Sequence, residues 1–149
     1  MSEFSPYRWE AEKIAPSGLR YRVRLADHVL TGPDGKAEAT MFSWSYLGQG
    51  GGSRRPVVFA YNGGPASAWL HMGLLGPVLA QLPEYPDGLS HPARFELMPN
   101  PDLLLDQCDI VLIDPVGTGW ARLLDESTTK RHYSTAGDAR DFSDFICAW

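Results

Sequence analysis

The sequence predicts an α/β fold in which an antiparallel hairpin leads into a mostly parallel sheet with flanking helices. Three observations predict it. Apolar residues alternate with arginines near the N-terminus, two continuous apolar runs follow, and helix-period patterns come after each run.

Met1 to Gly18 carries no clear period and reads as an irregular lead-in. Leu19, Tyr21, Val23 and Leu25 then alternate with Arg20, Arg22 and Arg24, the period-2 pattern of a half-buried strand. Thr31 to Gly35 is a turn cluster, and Thr40 to Leu47 puts Phe42, Trp44 and Tyr46 on one face of a second strand. The pair predicts a hairpin. Gly48 to Arg55 reads as a surface connection.

Pro56 to Tyr61 is an unbroken apolar run, as expected of a strand covered on both faces. Asn62-Gly63-Gly64-Pro65 ends it. Ser67 to Leu75 reads as a helix capped by Ser67 and stopped at Gly76-Pro77. Phe95 to Met98 is a candidate short strand, and Asn100-Pro101 a turn. Asp109 to Ile113 is the second apolar run, followed by Asp114-Pro115 and a Gly-rich loop to Trp120. Phe142, Phe145, Ile146 and Trp149 stand at i, i+3, i+4 and i+7, one face of a closing helix. Thr135 with Asp138 looks like the capping box that starts it.

The 149 residues suffice for one domain with its own core, spanning 1–149. Thirteen basic against eighteen acidic residues give a net charge of −5, which argues against a nucleic-acid or anionic-membrane surface. No run approaches the roughly 20 apolar residues of a membrane helix. Met1 to Glu10 contains charges and no signal-peptide core, and the compartment is left open. Cys108 and Cys147 are read as two reduced thiols or one disulfide.

The loop Asn62-Gly63-Gly64 directly follows a predicted buried strand. In open α/β sheets, ligands bind outside the carboxyl ends of strands. Two glycines there let the main chain approach a ligand and leave N–H groups free to point at it. Read alone, the same loop is equally a tight strand-to-helix turn.

Three stretches taken together are more specific. F-A-Y-N-G-G-P-A-S at Phe59–Ser67, M-P-N-P at Met98–Pro101 and D-I-V-L-I-D-P-V-G-T-G-W at Asp109–Trp120 resemble the serine carboxypeptidases in order and spacing. The resemblance covers Pro56 to Trp149 well and the N-terminal hairpin loosely. It implies the N-terminal part of an α/β-hydrolase fold and a serine-type carboxypeptidase, which removes C-terminal residues from peptides through an acyl-enzyme. It implies that the Gly64 backbone N–H contributes to the oxyanion hole. Asn62, with Gly63 beside it, would bind the free C-terminal carboxylate of a peptide substrate. Asp114 to Trp120 would line the floor of the site and support the binding loop. No metal or organic cofactor is implied.

The sequence departs from the family pattern in three places. Ala66 stands where glycine is usual, a strain of roughly 1 kcal/mol if that position needs φ > 0. Trp120 stands where phenylalanine is common. No G-x-S-x-G string occurs, so the catalytic Ser, Asp and His are expected beyond Trp149 and the chain is read as a fragment, inactive alone.

The remaining polar residues suggest no other chemistry. Ser67 suits a helix cap better than a nucleophile, and His71 falls one turn into that helix. His28, His91 and His132 lie near loops or strand ends without ligand spacing. Asp114, just after a strand, reads as a cap for the turn that follows. Two other readings stay open: another acyl hydrolase, esterase-like, with no use for an Asn62 clamp, or a truncated non-catalytic chain.

Overall fold

A computed structural model of the chain describes residues 4–50, 55–61, 76, 78–81 and 96–149. Strands β1 (Arg8–Ile14), β2 (Arg20–Thr31), β3 (Ala37–Gly48), β4 (Val57–Tyr61), β7 (Asp109–Asp114) and β8 (Arg122–Leu123) form one sheet. Its order is β1-β2-β3-β7-β4, with β8 pairing β3 beyond the end of β7. Strands β5 (Val78–Gln81) and β6 (Glu96–Pro99) make a separate antiparallel ribbon. The described helices are α1 (Thr129–His132) and α2 (Thr135–Ala148), with short 3₁₀ turns at Leu104–Asp106 and Glu126–Thr128.

The expected hairpin is present. β2 and β3 pair antiparallel from Tyr21↔Gly48 to Thr31↔Ala37 around a turn whose Gly35 sits at φ +78°. The arginine alternation has the physical effect anticipated: Tyr21 and Val23 are buried, Arg20 and Arg22 exposed. β7 is buried along nearly its whole length, as its apolar run predicts.

β7 also sorts the core. Ile110 and Leu112 face one side, where they pack with Tyr21, Tyr46 and Leu105. Val111 and Ile113 face the other, against Met41, Val116 and the α2 residue Phe145. The sheet is therefore covered on both faces, by a 3₁₀ turn on one and by α2 on the other.

The predicted fold class is not what forms. The structure is mostly β, 43% strand against 22% helix, with an antiparallel-dominated mixed sheet. It is not the helix-flanked, mostly parallel sheet of an α/β-hydrolase. Among the described residues the only parallel pairing is β4 with β7. The reason lies in the first 48 residues. β1, β2 and β3 are 7, 12 and 12 residues long and follow one another through short turns, so they zip together antiparallel.

The lead-in is not wholly irregular either, because it contains β1. That strand is almost entirely exposed, so it has no apolar period to read. Charge holds it instead: Glu10 lies opposite Arg24, whose Nε is 2.7 Å from Glu10 Oε1. β4 is half-buried rather than covered on both faces. In α2 the cap is Ser134, whose Oγ accepts the Gly137 N–H at 3.1 Å, not Thr135. Phe145 enters the core, whereas Ile146 is exposed.

Candidate functional site

The parallel pairing of β4 with β7 sets the carboxyl ends of both strands at one edge, with Tyr61 beside Ile113. Chain leaving β7 there forms a tight loop, Pro115 to Trp120. The Thr118 N–H donates to the Pro115 carbonyl and the Ala121 N–H to the Thr118 carbonyl, both at 2.9 Å. Gly117 and Gly119 lie at φ +78° and +54°, a region that favours glycine.

Asp114 organises this loop. Its carboxylate is buried, and Oδ2 accepts the Trp120 N–H at 3.2 Å. The sequence reading of Asp114 as a cap for the following turn therefore agrees with its geometry. A Cβ on Gly119 would overlap that carboxylate, and one on Gly117 would overlap the Tyr133 ring. Both glycines thus permit close approach. The Trp120 side chain is exposed, with its ring 6.1 Å from that of Phe42.

A groove of about 910 Å³ opens beside the strand ends. Tyr61, Val116 and Thr118 form one wall; Tyr133, Asp138 and Phe142 contribute to the other. Tyr61 and Phe142 stack with ring centroids 4.1 Å apart. Burial, and after it the nearby Asp141 charge, pushes the Asp138 carboxyl above its ordinary range. The groove thus offers aromatic and aliphatic surface, several hydroxyls and one acid disposed to keep its proton.

Asn62, Gly63 and Gly64, together with Ser67 and His71, lie outside the described residues. Tyr61, the residue before Asn62, is in the groove wall. No histidine is among the described residues lining the groove, so nothing described there activates a serine. Ser43 does meet a histidine, with its Oγ 2.9 Å from His28 Nε2. Ser43 is fully buried in β3, which withholds it from any substrate.

Among the described residues, no group of three His, Cys, Asp or Glu side chains could hold a metal ion. No described helix is long and apolar enough to cross a membrane. Cys108 is buried and Cys147 exposed, and both are free thiols.

Sequence reasoning missed one constellation. His132, Glu38 and Asp141 converge in a buried cluster between β3 and the two helices. His132 had been noted only as a histidine near a loop, and no local spacing ties it to Glu38. Compared with protein-family models and with curated protein sequences, the chain finds no match.

Proposed function

We propose that the chain supplies the oxyanion loop and the substrate-carboxylate clamp of a serine-type carboxypeptidase. One observation carries this reading. Asn62-Gly63-Gly64 continues directly from β4, and β4 runs parallel to β7, whose own exit loop holds the second motif. Both motif stretches thus leave the sheet at one edge, beside a groove with room for a peptide end.

In this reading the Gly64 N–H stabilises the oxyanion that forms as a serine attacks the last peptide carbonyl. Asn62, with Gly63, holds the free carboxylate and so restricts attack to the chain end. Asp114 acts on neither; it holds the Pro115–Trp120 loop in shape. Water then releases the shortened peptide from the acyl-enzyme. No G-x-S-x-G occurs in the 149 residues, so the nucleophile would come from sequence outside them. The partner is a peptide with a free C-terminus, and the chemistry needs no cofactor.

The test uses the product of the complete reading frame. Hydrolysis of an N-blocked dipeptide is compared with that of its C-terminal amide. The free acid is expected to react about 10²-fold faster in kcat/KM, in line with loss of a charge-assisted contact. Asn62→Ala should shrink that preference by raising KM for the acid. Equal rates on acid and amide would overturn the exopeptidase reading in favour of a less selective acyl hydrolase.

A further inference from the structure

The His132 cluster has a chemistry of its own. The imidazole is 2% exposed and lies between two carboxylates. Nδ1 is 2.7 Å from Asp141 Oδ2 on α2, and Nε2 is 3.3 Å from Glu38 Oε2 on β3. The second contact is close enough for an ion pair but too poorly aligned for a hydrogen bond. Neither of its two atoms has another hydrogen-bond partner among the described residues.

Two glycines make the cluster possible. A Cβ on Gly32 would overlap the Glu38 carboxylate. One on Gly137 would overlap the Arg131 carbonyl, so that glycine lets α1 pack onto α2.

A neutral imidazole carries one N–H and one lone pair; only the imidazolium offers an N–H at both nitrogens. With a carboxylate oxygen beside each nitrogen, the geometry favours the charged ring. Arg131 Nη1 donates to Glu38 Oε1 at 2.9 Å, so the buried pair of anions then faces a pair of cations. Loss of the His132 proton would turn a lone pair toward a buried carboxylate and leave that anion undercompensated, a costly arrangement. His132 is followed at once by Tyr133, Ser134 and Thr135, which line the groove.

We propose that His132 is a proton-operated latch. As imidazolium between Glu38 and Asp141 it fixes α1 and the adjoining groove wall against the β2–β3 hairpin, and loss of its proton loosens that wall.

Other ionisable groups face the same place. On α2, Arg140 Nε lies 3.7 Å from Asp141 Oδ1, and Asp138 carries a raised carboxyl facing the groove. Asp144 on α2 and His28 on β2 line a small cavity together with His132. His28 acts in the opposite sense, since burial holds its ring below the ordinary value and favours the neutral form. Its contribution is lost as pH falls, whereas the latch is lost as pH rises. Global stability mixes the two, and a local readout separates them.

Residue-resolved amide hydrogen exchange at about pH 5 and about pH 8, corrected for intrinsic rates, supplies that readout. In the wild-type protein, amides of residues 129–139 should lose about tenfold or more of their protection relative to β3 at the higher pH. In His132→Gln their protection should be low at both pH values. Glu38→Gln, whose amide can accept from or donate to either form of the ring, should shrink the wild-type pH effect. Unchanged relative protection in the wild-type protein overturns the latch even if a variant fails to fold. So does an undiminished pH effect in either variant.

Discussion

The carboxylate of Asp114 occupies the space that a side chain at Gly119 would need. The same carboxylate accepts the Trp120 N–H, so one acid both closes the loop and dictates glycine within it. Gly119→Ala would meet two penalties, the left-handed backbone at φ +54° and the overlap with a buried charge. The expected loss is about 2 kcal/mol or more, read as a fall in Tm of roughly 5 °C in thermal unfolding. An unchanged Tm would mean that the loop is not pinned in this way.

Arg55 should be the costliest single side chain to remove from the start of β7. Its Nε donates to Asp109 Oδ1 at 2.9 Å, and Nη2 donates to the carbonyls of Leu105 and Cys108. Asp109 Oδ1 also accepts the Gly48 N–H at 2.9 Å, so the pair joins β3, the 3₁₀ turn and β7. The two side chains are only 16% and 17% exposed. Truncation to Ala leaves a largely buried carboxylate unpaired, at a cost of about 2–4 kcal/mol in urea unfolding. Arg55→Lys should recover little of this, because an ammonium cannot span the same forked set of acceptors.

Tyr46 predicts how the protein responds to alkali. Burial, and after it the neighbouring Tyr21, pushes its phenol up to about 12 from an ordinary value of 10.0. Between those two values the folded protein keeps a proton that the unfolded chain gives up, so stability must fall as pH rises. The loss approaches 2–3 kcal/mol by about pH 12. Tyr46→Phe should flatten that part of the stability–pH curve, which denaturant titrations on either side of pH 10 would reveal. A curve with the same slope in both proteins would assign the loss to another group.

The hairpin and β7 were legible because each follows a simple burial rule. Tyr21 and Val23 point inward between outward arginines, and Ile110 to Ile113 is apolar because both faces are covered. β1 was illegible for the complementary reason, since its order comes from Glu10 meeting Arg24 across the sheet. Strand direction is not encoded in an apolar run, so Val57–Tyr61 suggested a parallel sheet although it contributes just one parallel pair.

β3 hides its burial as well. Ser43 and Ser45 alternate with aromatic residues like a solvent face, yet both are fully buried. Ser43 pairs with His28, and Ser45 accepts from the Trp149 indole at 3.2 Å. The candidate site was legible only as motifs around Asn62–Gly64 and Asp114–Trp120. The Glu38–His132–Asp141 cluster was not, because 93 residues separate Arg131 from its partner Glu38 and only the fold brings them together.

The strand order has a consequence in time. β2 and β3 meet across a short turn and can pair as soon as both have been synthesised. β4 emerges next, but its described neighbour β7 begins only at Asp109, so Val57-Val58-Phe59-Ala60-Tyr61 must wait for it. During that interval an apolar strand has no edge to join, and a ribosome-bound chain is most vulnerable to mispairing there. Insertion of β7 between β3 and β4 then completes this part of the sheet in one step. The motif loops that follow β4 and β7 therefore reach the same edge only when the later strand arrives.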